Sequence, residues 1–178
     1  MGNKIKYLLA IVFFPIVILF YLTKFIIKKI QIKFIEQYLS SLTIDNIDSL
    51  SGIEFEELLY ATFIAKGFTV TKTKKSHDYG ADLILRKKDI KIVIQCKLYY
   101  KHSVGNSAVQ EISTAREYYH ADMGVVITNS TFTQPATILA ENTGIKLIDR
   151  NQILSLINKN NESIINILTD NKLHLSVK

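Results

Sequence analysis

Asp82, Gln95 and Lys97 are three polar side chains set into two apolar stretches, and their types and spacing could do chemistry. Gln95 and Lys97 lie in "IKIVIQCKLYY", Ile90 to Tyr100. Every second residue there is apolar (Ile92, Ile94, Cys96, Leu98), the period of a half-buried strand. The opposite face carries Lys91, Val93, Gln95 and Lys97. Asp82 lies in "ADLILR", Ala81 to Arg86, and shares a face with Ile84 and Arg86. If the two stretches pair through "KKD", with Arg86 and Ile90 closing the loop, Asp82 falls opposite Ile94 and diagonal to Gln95. A carboxylate, an amide oxygen and an ammonium then converge. Asp82 can ligate a hard divalent cation, and the Gln95 side-chain oxygen and Cys96 backbone carbonyl can add oxygen ligands. Lys97 can position or deprotonate a water, or neutralise a phosphate oxygen. Together these groups suit metal-assisted hydrolysis of a phosphodiester.

The elements that must position them flank these strands. "SGIEFEELLYATFIAKG" reads as a helix, with Ser51 and Glu54 as a capping box at its start and Gly67 as its stop. Phe68 to Thr73 alternates as a strand and "KKSHDYG" is a turn. Ala81–Arg86 and Ile90–Leu98 are the second and third strands. Asn106 to His120 is helical, and "MGVVITN" is a short buried strand without polar alternation. Thr133 to Asn142 is a helix with Pro135 in its first turn. "GIKLID" is a strand, Arg150 to Asn158 a helix, and Asn161 to Thr169 a last helix before an unassigned tail. The order αβββαβαβα gives an α/β fold, a mixed sheet with helices on both faces.

A chain of 178 residues, 48% apolar, is about one domain. Part of that apolar content is N-terminal. Tyr7 to Thr23 is 17 residues without a charge, about 25 Å of helix, just short of a bilayer core of about 30 Å. If Lys24 snorkels, Phe25 to Ile27 complete a span of about 7–27, and Pro15 is tolerated inside it. A cleaved signal peptide is the rival, but no small-x-small site follows the apolar run. An interfacial helix is the third reading. Lys4 and Lys6 precede the span while Lys24, Lys28, Lys29 and Lys33 follow it. This bias predicts a single-pass membrane protein with its bulk in the cytoplasm. The lone cysteine agrees, since no internal disulfide can form.

The net charge is +6. Residues 1–39 hold six Lys and one Glu, a juxtamembrane excess that anionic lipid would explain. Residues 66–101 hold ten Lys/Arg against three Asp. That stripe, with Lys72, Lys74, Lys75 and Lys101, can follow a phosphate backbone, or can be a solvated lysine face. Thr128, Asn129 and Thr133 stand where a strand ends and a helix begins. Free amides there can hold a phosphate, and a plain cap explains Thr133 equally well. Asp78 and His77 read as turn residues. Tyr99, Tyr100, Tyr118 and Tyr119 can stack on bases or simply pack.

Several of these segments, in order, resemble the Mrr-type restriction endonuclease domain, a branch of the PD-(D/E)xK nuclease superfamily. They are "FE" at Phe55–Glu56, "D-x-G-x-D" from Asp78 to Asp82, "QCK" at Gln95–Lys97, "TN" at Thr128–Asn129 and "FTxxA" from Phe132 to Ala136. The resemblance runs from about Ser51 to about Leu156. It implies a restriction-endonuclease-like sheet and a DNA endonuclease directed against foreign or modified DNA. It implies that Asp82 and Gln95 are metal ligands, that Lys97 is the catalytic lysine, and that Glu56 is a helix acid leaning toward the metal. Gln95 departs from the superfamily's usual Glu or Asp and matches the Mrr branch. The implied cofactor is Mg²⁺ or Mn²⁺, and the implied partner is double-stranded DNA, with membrane lipid at the N-terminal helix and a homodimer left open. The expected layout is an N-terminal region 1–39, a linker at 40–50, the nuclease domain at 51–160 and a C-terminal helix and tail at 161–178. A junction-resolving nuclease and a non-catalytic, membrane-tethered DNA-binding protein are the alternatives on the same fold.

Overall fold

The computed structural model describes residues 2–73, 79–158 and 168, and for residues 2–12 the backbone alone. Its elements are α1 (Gly2–Ser40), α2 (Ile44–Asp48), α3 (Gly52–Ala65), β1 (Thr69–Lys72), β2 (Leu83–Lys87), β3 (Ile90–Lys97), α4 (Asn106–Tyr118), β4 (Met123–Thr128), α5 (Gln134–Thr143), β5 (Lys146–Ile148) and α6 (Arg150–Asn158). The five strands form one mixed sheet in the order β1-β2-β3-β4-β5. The first three are antiparallel, and β3, β4 and β5 run parallel. The chain crosses between the parallel strands through α4 and α5, as parallel pairing requires.

The period-two pattern of β3 decides which layer each residue joins. Ile92, Ile94 and Cys96 enter a core with Leu83 and Leu85 of β2 and Val125 and Ile127 of β4, covered by Phe55, Leu59 and Phe63 of α3 and Ile153 and Leu156 of α6. Val93 and Val126 point the other way, against Ala108, Val109 and Ile112 of α4 and Ala136 of α5. Gln95 and Lys97 share that second face with Val93, so the reactive pair looks toward α4.

The helix ends follow their sequence signals. Ser51 and Glu54 cap each other reciprocally at the start of α3. That bonding, first to the Ser51 backbone, holds the Glu54 carboxyl below its usual range. Gly67 follows α3 with φ 79°, and Gly144 ends α5 with φ 67°, conformations that favour glycine.

Two N-terminal expectations are corrected. Among the described residues, no helix is long and apolar enough to cross a membrane. The uncharged run, Tyr7–Thr23, is 17 residues, about 25 Å of helix where a span needs about 20 residues. A longer stretch takes in Lys6 on one side or Lys24, Lys28 and Lys29 on the other. The single-pass placement expected from Tyr7–Thr23 is overturned, and with it the cytoplasmic orientation inferred from that span. The second correction concerns the linker. Residues 40–50 contain α2, whose cap Thr43 and Asn46 bond reciprocally and whose Ile47 is fully buried. Leu39, at the end of α1, is 1% exposed and belongs to the same core as α3. That core therefore begins inside α1. The helix expected over Asn161–Thr169 lies outside the described residues except for Leu168, which is buried in the α3 core.

Candidate active site

β2 and β3 part just beyond the Leu83–Ile94 pair, and Asp82 sits at the fork. The hairpin turns on Lys88 and Asp89 alone, since Lys87 pairs with Ile90. This tighter closure shifts the register by one residue from expectation and sets Asp82 level with Gln95. The Asp82 N–H donates to Ile94 O at 2.8 Å, and Asp82 O accepts from Thr73 N at 3.0 Å, so the residue's backbone is fixed on both sides. Its carboxylate Oδ2 accepts from Cys96 N at 2.6 Å and from Gln95 Nε2 at 2.9 Å.

The Gln95 side chain is thereby oriented. It is 6% exposed, its amide nitrogen is spent on Asp82, and its Oε1 is buried without a hydrogen-bond partner among the described residues. An acceptor left in that state costs about 1–3 kcal/mol, and in a native fold it calls for an explanation. Two residues on, Lys97 Nζ donates to Glu111 Oε2 of α4 at 2.8 Å. Cys96 points into the α3 core. Burial, then the charge of Asp82 and then that of Glu56, push its thiol well above its ordinary pKa, with Lys97 opposing. The thiol is thus held protonated and is a poor nucleophile.

The structure brings Asp82, Gln95, Cys96 and Lys97 together. Glu56 stands on α3, against the other face of the sheet, and its charge is felt at Cys96. Among the described residues no three His, Cys, Asp or Glu side chains cluster as a metal centre. The donors at the fork are instead one carboxylate and one amide oxygen. These are hard oxygen ligands of the kind Mg²⁺ takes while keeping several waters, and the partnerless Gln95 oxygen fits that use.

The candidates for binding a phosphate backbone fare differently. Lys72 pairs with Glu57 and lies 4.7 Å above the Tyr60 ring. Lys101 is exposed, near the Tyr100 ring. Thr128 is fully buried, and its hydroxyl accepts from Ser130 N. Asn129 is 3% exposed; its Oδ1 accepts from Tyr99 N, and its Nδ2 donates to Tyr99 O and Asp48 Oδ1. Arg150 closes this clamp by donating to Asp48 at 2.7 Å and to Asn129 O at 3.1 Å. Thr133 caps α5, accepting from Ala136 N. Lys74, Lys75, His77 and Asp78 lie outside the described residues. Tyr118 stacks on Tyr79, with ring centroids 3.7 Å apart.

One participant, Glu111, escaped the sequence reading, while Gly80 was read only as the glycine of "D-x-G-x-D". Glu111 lies on the helical line from Ala108 to Ala115, both buried, and an acid on a buried line is a signal that could have marked it. Gly80 takes φ 91°, and a Cβ there would stand 2.6 Å from Glu111 Cβ and 2.7 Å from the Glu111 carbonyl. Only glycine lets the turn before Asp82 lie this close to α4.

A family model described as restriction endonuclease, Mrr_cat, matches residues 47–157, most of the chain and all of this site. The chain belongs to the Mrr_cat restriction endonuclease family. It thus carries a restriction-endonuclease-like nuclease domain. No curated protein matches it. Among solved structures it is similar to the DNA modification-dependent restriction endonuclease AspBHI, at 17% identity and TM-score 0.47 over 74% of this chain and 35% of that one. It is similar to the MspJI restriction endonuclease in complex with a 27-mer oligonucleotide, at 12% identity and TM-score 0.42 over 80% and 35%. It is similar to EndoMS in a complex with double-stranded DNA, at 18% identity and TM-score 0.39 over 57% and 45%. The aligned part spans less than half the length of each of these proteins. At these scores the likenesses say nothing of this chain's own substrate.

Proposed function

We propose that the chain is a divalent-cation-dependent DNA endonuclease that hydrolyses phosphodiester bonds, acting in restriction or defence against foreign or modified DNA. The observation that carries this reading is the Gln95 Oε1, which is buried beside the Asp82 carboxylate and has no hydrogen-bond partner among the described residues. An orphaned acceptor next to a carboxylate has a natural explanation as half of a cation site. Asp82 and Gln95 would hold the cation, with the Cys96 carbonyl as a further oxygen donor and Glu56 as an acid nearby. When bound, Mg²⁺ or Mn²⁺ supplies charge neutralisation at the phosphate and a more acidic water.

The chain's own groups supply the rest. Asp82 is held by the Cys96 N–H and the Gln95 amide, so its carboxylate does not need to reorganise when substrate arrives. Lys97 is on the same strand face as Gln95 and offers an ammonium to a non-bridging phosphate oxygen. Lys101, together with Lys74 and Lys75 between β1 and β2 in the chain, would meet the flanking phosphate backbone. Lys72 is already engaged with Glu57, and Asn129 is spent inside the fold.

The test is cleavage of supercoiled plasmid, with and without base modification, by the full chain in EDTA and then in Mg²⁺ or Mn²⁺. Cation-dependent nicking or linearisation is expected. A protein that binds the cation and cuts no DNA of either kind would refute the reading, and so would cutting that persists in EDTA.

A further inference from the structure

Glu111 touches both halves of this site from one helix position. Its side chain, 42% exposed, accepts from Lys97 Nζ at 2.8 Å. Its main chain packs against Gly80, where a Cβ would stand 2.7 Å from both the Glu111 carbonyl carbon and oxygen. Two residues past Gly80 the chain reaches Asp82. The main-chain contact therefore fixes where the Asp82 strand starts relative to α4, and the side-chain contact fixes where the Lys97 ammonium stands relative to the same helix. Among the described residues Lys97 makes no other side-chain hydrogen bond. A lysine carries a flexible four-carbon stem and a compact charge, so without a partner its ammonium would sample many positions. Gln95 is uncharged and gives its amide nitrogen to Asp82, so the carboxylate that Lys97 hydrogen-bonds is that of Glu111.

We infer that Glu111 is a positioning residue for phosphodiester cleavage, holding the Lys97 ammonium at a fixed distance from the Asp82 carboxylate. The inference rests on the nuclease reading. The competing account is an ordinary partly exposed ion pair that adds little to the fold and nothing to the reaction.

The test compares the full chain with Glu111→Gln, Glu111→Ala and Glu111→Asp, measuring single-turnover cleavage, plasmid affinity and thermal midpoint. Glu111→Gln keeps an acceptor but loses the charge, and Glu111→Ala loses both. Cleavage should fall on the order of 10- to 100-fold, as misplacement of a reacting group does. Alanine should be worse than glutamine, and Glu111→Asp, which keeps the charge, should retain the most. DNA affinity and midpoint should stay at the parent's values. Parent-level cleavage by Glu111→Ala, beside an active parent, overturns this inference alone. A loss of cleavage that merely tracks a loss of affinity or of folded protein also overturns it. A parent that cuts nothing removes the nuclease reading, and this inference with it.

Discussion

Gln95 gives its amide nitrogen to the Asp82 carboxylate at 2.9 Å and leaves its own oxygen buried without a partner among the described residues. The pair is complementary as it stands, an amide donor against an anion. Gln95→Glu would put a second carboxylate where the donor was. Like charges at that distance disfavour each other unless a cation lies between them. The variant should therefore melt below the parent in EDTA, by about 1–3 kcal/mol of stability. It should gain more from Mg²⁺ than the parent does, because stabilisation follows cation affinity. Thermal melts of both proteins across a Mg²⁺ titration check this. Equal responses to Mg²⁺ would mean that position 95 does not meet the cation.

Lys97 and Asp82 should separate in how they fail. Lys97→Ala removes a partly buried ammonium, 23% exposed, and one ion pair to the more exposed Glu111, so cleavage should be lost while stability changes by about 1 kcal/mol or less. Asp82→Ala strips an acceptor from Cys96 N and from the Gln95 amide together, so it should lose cleavage and about 2–3 kcal/mol of stability. Cleavage assays alongside urea unfolding read both. An active Lys97→Ala would end the role assigned to that ammonium.

Cys96 lies between these residues in sequence, and its side chain enters the α3 core while staying near the Asp82 carboxylate. Its thiol is buried and held protonated by burial and the nearby Asp82 charge. Iodoacetamide should therefore alkylate it far more slowly in the native protein at pH 8 than in denaturant. Cys96→Ala should cut at the parent's rate with about 1–2 kcal/mol less stability. Mass-spectrometric alkylation rates and a cleavage assay decide. Loss of cleavage in a folded Cys96→Ala would bring the thiol into the chemistry.

The strand faces were legible because a period of two leaves little choice: once Ile92, Ile94 and Cys96 take one core, Gln95 and Lys97 must share the other face. The capping box of α3 was legible for the same kind of reason, since Ser51 and Glu54 have few other uses at that spacing. The hairpin register was misjudged by one residue because Lys88 adopts φ 53°, a conformation that a lysine does not announce. The stretch 40–50 read as a linker because its polar residues hide two functions. Thr43 and Asn46 form a cap, while Leu42, Ile44 and Ile47 pack on the core. Glu111 was missed because its partner is 14 residues away on a different element, so its place on the buried line of α4 marked an unusual acid without showing what it meets.

Asn129 offers a direct choice between two uses. Its amide bonds Tyr99 on both sides of the peptide and Asp48 across the fold. Asn129→Ala should cost about 2–3 kcal/mol, because the Tyr99 N–H and the Asp48–Arg150 pair each lose a buried partner. Plasmid affinity, measured well below the melting temperature, should be unchanged. Weaker DNA binding without a stability loss would instead make Asn129 part of the DNA surface.

Leu39 tests where the folded unit begins. It ends a helix whose earlier apolar side chains, from Phe13 to Ile30, are exposed, yet Leu39 is 1% exposed and packs in the α3 core, with Ile35 against it. Leu39→Ala should therefore cost about 2–5 kcal/mol, as core truncations of leucine do. Ile30→Ala, on the exposed part of the same helix, should cost less than about 0.5 kcal/mol. A fragment starting at Ser40 should unfold at lower urea than one starting at Lys24, by at least the Leu39→Ala effect, because it loses Ile35 and Leu39 together. Equilibrium unfolding of the two fragments and the two substitutions makes the comparison. Equal midpoints for the fragments would return the boundary to residue 51 and leave α1 outside the core.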